Sequence, residues 1–341
     1  STGSIGAFTK GATIENTGNI NSNYLGLYGK DGSTINQTSG IVTVNDGTGI
    51  LVDGNSSIAN LNGGIIGGTS NNIVSVSAIN NGTVNLNGTD IINSGSGTIG
   101  ISSMNGNVIL TSGNISITSG TGIYARNSNV NLSGYTGNIN IGNAGIAVYS
   151  EDSALSNGTL NINYTSPTDK GIGIIYTGTN PITNNVSVNH TGDNLITLYT
   201  NGVDVTNTAN QTINNDGIGI YGDNGAVISN QGTLALNGDD SIGIYLNGAN
   251  TTDLGTINGN LPITGYKVGV YVNNGDITGS STYNFGVDGG VGIYLKNNTI
   301  SYTGTMNVTG DSTTSKRTIG MYIDPSISGN IGTKFNITGE N

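Results

Sequence analysis

Residues 216–245 read DGIGIYGDNGAVISNQGTLALNGDDSIGIY, and Ile-Gly-Ile-Tyr occurs twice within them, at 218–221 and at 242–245. The register extends in both directions when each anchor position is required to follow an aliphatic residue. It then holds fourteen times, at Phe8, Tyr28, Leu51, Ser77, Ser102, Tyr124, Tyr149, Tyr176, Tyr199, Tyr221, Tyr245, Tyr271, Tyr294 and Tyr322, with spacings of 20 to 28 residues. Ten of the sixteen tyrosines fall in this one column.

The residue before the anchor is always aliphatic, from Ala7 to Met321. The residue three before it is aliphatic in eleven of the fourteen repeats, and the position between them is Gly in ten. A two-residue alternation marks a strand, and it predicts both aliphatics on the core face with Gly and Tyr on the other. A second signature, Gly-[Thr/Asn]-apolar-x-apolar, recurs as GTVNL from Gly82, GNINI from Gly137, GTLAL from Gly232 and GTMNV from Gly304, and marks another strand. Between the two lie turn pairs in which positive φ is cheap, such as Asp31-Gly32, Asp53-Gly54, Asn81-Gly82, Asn224-Gly225 and Asn274-Gly275, often followed by a short apolar patch such as Ala226–Ile228.

About 24 residues per repeat, three short strands and no helical period predict one coil of a parallel β-helix: an all-β, right-handed solenoid of about fourteen coils, continuous over 1–341. A propeller blade needs nearly twice this length, and the leucine-rich consensus is missing. The core is then a column of Ile, Val and Leu that no single coil buries alone.

Composition narrows the function. The chain has 58 Gly, four Pro, no Trp and no Cys, which excludes disulfides, thiolate metal sites and cysteine nucleophiles. Nine Lys+Arg against 20 Asp+Glu give a net charge of −11, the wrong sign for nucleic acid or an anionic membrane, so a charged partner is expected to be basic. No run of 18 apolar residues occurs, and both termini stay in the repeat pattern, so the chain reads as part of something longer.

Repeats of the form GIGIY…NGA…N.GTL.LNG, rich in Asn, Gly, Thr and Ile and covering essentially the whole chain, resemble the passenger region of large type V autotransporters, in particular the long outer-membrane adhesins of fusobacterial type. The resemblance implies a right-handed β-helix displayed outside the outer membrane of a Gram-negative cell, attaching to a cell-surface protein or glycan on host cells or partner bacteria. It transfers no functional residue.

The candidate contact residues are the tyrosines of the anchor column, Tyr124, Tyr149, Tyr176, Tyr199, Tyr221, Tyr245, Tyr271, Tyr294 and Tyr322, expected to face solvent as a stripe open to a sugar face, a cation or an extended peptide. The bland alternative is that they stack to order the sheet. Asn85, Asn140, Asn161, Asn284, Asn307 and Asn336 sit between core residues of the other strand and are read as a solvated or mutually bonded ladder.

Catalysis finds few residues. Asp46, Asp193, Asp216, Asp239, Asp240 and Asp288 lie five or six positions before an anchor; Asp216, Asp239 and Asp240 fall in adjacent coils and are candidates for a paired-carboxylate or weak calcium site, but solvated turn residues are the better reading. His190, the single histidine, reads as a surface residue at a strand end, with Asp193 as its nearest acid. Gly217–Gly222 matches GxGxxG only formally, since no helix follows. The expectation is a non-enzymatic adhesin segment without metal or cofactor; the alternatives are a rigid stalk and a carbohydrate-active β-helix enzyme.

Overall fold

The computed structural model describes residues 3–166, 168–259, 266–296, 301–310, 317–324 and 334–339. Every element among them is a strand, and the ladders are parallel. The fold is a right-handed-type parallel solenoid of about 13 turns with three strands per coil, as the repeat requires. Contacts divide the chain into two compact units, Ser1–Ile172 and Gly173–Asn341.

In the first unit each coil contributes one strand to each of three sheets. The anchor-bearing strands run Ile5–Lys10, Leu25–Lys30, Thr48–Asp53, Val74–Ile79, Thr98–Met104, Gly120–Arg126 and Ile146–Glu151. The short apolar patches form a second sheet (for example Thr34–Gln37 and Ile58–Leu61), which also takes Thr83–Asn87, the GTVNL segment expected in the other strand, and a third runs through strands such as Ile115–Ile117 and Asn138–Ile141. Leu27, Ile50, Val76, Ile101, Ile123 and Val148 line the interior without solvent contact. Ile35, Val84 and Val108 of the second sheet and Val42, Ile66, Ile91 and Ile139 of the third are equally buried. Each such side chain contributes roughly 1.5–3 kcal/mol of burial that only a stacked neighbour can complete.

The second unit repeats the scheme with longer strands. Ile242–Asp253 and Val268–Ile277 run from the anchor sheet into the second sheet without a break, while Val205–Asn207 and Val227–Asn230 are separate second-sheet strands. The anchor register is one-to-one, with Ile220 opposite Ile244 and Tyr221 opposite Tyr245.

The turns after the anchor strands use left-handed backbone where the sequence offers it: Asp31, Asn81, Asn127, Asp152 and Asn224 all have φ between 45° and 68°. Asp and Asn tolerate this region because their short side chains bond the local backbone.

The expected alternation fails at one place. The glycine two before the anchor faces the core together with the aliphatic that follows it. A methyl on Gly26 would sit 2.4 Å from the carbonyl oxygen of Gly49 and 2.8 Å from Val42 Cγ1; on Gly243 it would sit 2.6 Å from the Gly269 oxygen and 2.8 Å from Ile257 Cδ1. The strand therefore bends inward at the glycine, and the residue three before the anchor moves toward the outer side: Ile242, Val268 and Val291 are half-exposed, not core, although Leu25 and Ile218 stay buried.

Candidate functional site

The outer face of the anchor sheet carries the tyrosines. In the first unit Tyr124 and Tyr149 stack with ring centroids 5.3 Å apart and planes 23° apart. The Tyr124 hydroxyl donates to Glu151 Oε2 at 3.2 Å, and Glu151 also receives Arg126 Nε at 3.2 Å. Tyr28 repeats the arrangement by donating to Asp53 Oδ2 at 3.1 Å. In both cases the acceptor lies two residues after the anchor of the following coil. Burial, then the neighbouring carboxylate, raises the pKa of both phenols.

In the second unit six tyrosines form a longer ladder. Tyr199 and Tyr221 are tilted by 59°, but Tyr221–Tyr245, Tyr245–Tyr271 and Tyr271–Tyr294 stack at 4.9, 5.1 and 5.0 Å with planes within 8–11°. Tyr294–Tyr322 closes the run at 4.8 Å and 24°. Rings stacked along the coil axis cover one another's faces, so they present edges and hydroxyls outward, and the expected open platform for a sugar face is absent within the run. The half-exposed Ile242, Val268 and Val291 run beside the ladder, with Ile196 set apart from them by the buried Ile218.

Tyr176 departs from the column. It is 1% exposed and donates to Asn184 Oδ1 at 2.6 Å inside the solenoid. The true anchor of that coil is Ile175: with it, Ile172 falls three before the anchor and Gly173 two before, as in the other repeats, whereas counting from Tyr176 puts Gly173 at the aliphatic position. A one-residue shift in a strand reverses the face of every side chain.

The buried end of this contact was not read from the sequence. Asn184, Asn207 and Asn230, 23 residues apart, form an interior ladder in which the Nδ2 of Asn184 donates to Asn207 Oδ1, and that of Asn207 to Asn230 Oδ1, both at 2.7 Å. The [Thr/Ser]-Asn pair at 183–184, 206–207 and 229–230 is its signature.

The six asparagines expected to form a ladder divide between sheets. Asn85 bonds Asn60 in the second sheet; Asn140 lies in the third, between Ser116 and Asn163. Asn161 pairs in register with Asn138, and Asn336, Asn307 and Asn284 form a separate bonded run. A shallow groove follows the third sheet of the first unit along Ile92, Ser116, Asn140, Thr118 and Thr165, and its amide and hydroxyl groups already bond along the ladder.

Asp193, Asp216 and Asp240 are exposed in turns, the last two with φ of 53° and 50°, and Asp240 Oδ1 accepts from Tyr266 N at 3.0 Å. Among the described residues no group of three His, Cys, Asp or Glu gathers to hold a metal ion. His190 is an interior residue, not a surface one: it is 7% exposed, follows Val186 and Val188 on the core face, and has Asn214 Nδ2 beside its Nδ1 at 3.4 Å. Burial lowers its pKa.

No protein-family model and no curated protein matches the chain.

Proposed function

We propose that this chain is a segment of a surface-displayed solenoid of the autotransporter passenger kind, acting by non-covalent attachment to a cell-surface protein or glycan and not by catalysis. The observation that carries the reading is the tyrosine ladder of the second unit, which sets six phenol edges and hydroxyls in a row on one face beside a half-exposed aliphatic stripe. Repetition turns weak individual contacts into avidity. The acidity of the chain favours a basic partner surface: residues 171–266 hold seven Asp and neither Lys nor Arg.

The stalk reading has its own support, because ring faces spent on one another and phenols bonded to Asp53 and Glu151 stabilise the coil stack without any ligand. Binding of the purified chain to bacterial cells, epithelial cells and a glycan array, with and without calcium, separates the two. Saturable binding that is lost when Tyr199, Tyr221, Tyr245 and Tyr271 are together replaced by Ser, with the circular dichroism of a sheet retained, supports the contact face. Absence of binding by the folded chain leaves the stalk.

A further inference from the structure

We infer that the tyrosine ladder is a site of oxidative cross-linking, in which phenols of successive coils couple to dityrosine and staple the solenoid along its own stack. Tyr221, Tyr245, Tyr271 and Tyr294 hold their rings 4.9–5.1 Å apart and nearly parallel. They are half-exposed, so a one-electron oxidant in solution reaches them. Tyr124 and Tyr149 form a second pair at 5.3 Å, and there the Glu151 carboxylate at 3.2 Å is already placed to take the phenol proton. The chain has neither Cys nor Trp to intercept oxidising equivalents, and only three Met.

The chemistry needs a peroxide-driven, one-electron oxidant of the haem-peroxidase class. Each of two neighbouring phenols gives up one electron to the oxidant and one proton to a base, leaving two tyrosyl radicals, while one hydrogen peroxide takes up two electrons and two protons to give two waters. The radicals join through the ring carbons ortho to oxygen, and the hydrogens on those carbons move to the oxygens, restoring both phenols. Rotation of half-exposed rings about their side-chain bonds is fast enough to bring the ortho carbons together. Each link closes a loop of one coil in the unfolded chain, which restricts that chain as a disulfide does.

Stacking and exposure make different predictions, which gives the test its force. Tyr266 and Tyr24 are the most exposed tyrosines, at 70% and 51%, and stand outside the ladder. The whole chain is treated with a haem peroxidase and hydrogen peroxide, and the linked peptides are mapped by mass spectrometry. The expected map is dominated by intramolecular Tyr221–Tyr245, Tyr245–Tyr271, Tyr271–Tyr294 and Tyr124–Tyr149 links, and the linked chain melts at a higher temperature than the untreated one. Tyr245→Phe keeps the ring and should delete its two links while leaving Tyr271–Tyr294 and Tyr124–Tyr149. A map dominated by Tyr24, Tyr266 or links between molecules, the same map from chain unfolded in urea, or an unchanged melting temperature would each overturn the inference. The outcome does not depend on whether the chain binds cells.

Discussion

The hydroxyl of Tyr176 donates to Asn184 Oδ1 at 2.6 Å with both residues wholly buried, so a tyrosine of the repeat caps an interior chain of amides. Each Nδ2 in that chain also donates to a carbonyl two residues on, Val186 O at 3.1 Å from Asn184 and Ala209 O at 2.9 Å from Asn207. Replacing Asn207 by Ala takes away one of the two acceptors of the buried Asn184 amide and leaves the buried Oδ1 of Asn230 without its donor. The expected loss is about 1–3 kcal/mol in urea unfolding. Asn284→Ala, in the exposed ladder, should change stability by less than about 0.5 kcal/mol. Equal losses would mean that the interior ladder is no stronger than its surface counterpart.

The inward glycines give a sharper contrast. Gly26 has no room for a methyl, and the obstacle is backbone, namely the Gly49 carbonyl at 2.4 Å. Overpacking against an atom that cannot rotate away should place Gly26→Ala at or above the ~1–3 kcal/mol common for crowded cores. Gly18, with nothing within 4 Å of an added methyl, should accept Ala within about 0.5 kcal/mol. Thermal melts of the two variants, side by side, decide whether the glycine column is a packing requirement or a habit of composition.

The coil architecture was legible because period is a property of spacing, and spacing survives unusual composition. The side chains were less so. Alternation alone puts Ile242 in the core and Gly243 outside, because it takes a strand to be straight; Gly243 instead faces inward, too close to the Gly269 carbonyl of the next coil for a methyl, a contact that spacing does not reveal. At Tyr176 residue type points to the anchor column, whereas the register, marked by Gly173, points to Ile175. His190 stood at a strand end in sequence but on the core face in space, since inward and outward positions of a short strand differ by one residue. The Asn184–Asn207–Asn230 chain was missed because asparagine is abundant everywhere, and only its 23-residue spacing after Thr or Ser distinguishes these three.

The ladder should also be measurable as stability. Tyr245 stacks on two rings, at 8° to Tyr221 and 11° to Tyr271, whereas Tyr199 meets Tyr221 at 59°. Aromatic pairs contribute about 0.5–1.5 kcal/mol beyond burial, so Tyr245→Ala should cost more than Tyr199→Ala by about one such pair. Tyr245→Phe preserves the rings and should cost little. If Ala at the two positions is equally tolerated in chemical unfolding, the rings lie side by side without holding one another.

His190 makes the second unit sensitive to acid. Its pKa is lowered in the folded chain, with burial the leading cause, partly offset by backbone bonds at Gly192 and Thr212 and by the Asp193 charge. The unfolded chain then binds the proton first, near the ordinary 6.5, so stability is full above that value and falls as pH drops from it toward the lower folded pKa. The slope from one such group cannot exceed about 1.4 kcal/mol per pH unit. Carboxylates add their own dependence further into acid, so the informative quantity is the difference between the wild type and His190→Leu, which carries no proton. That difference should shift in favour of the variant as pH falls below 6.5, until the lower folded pKa is passed, and stay constant above about 7. A constant difference across the whole range would mean that the imidazole reaches water on protonation and is not held in the core.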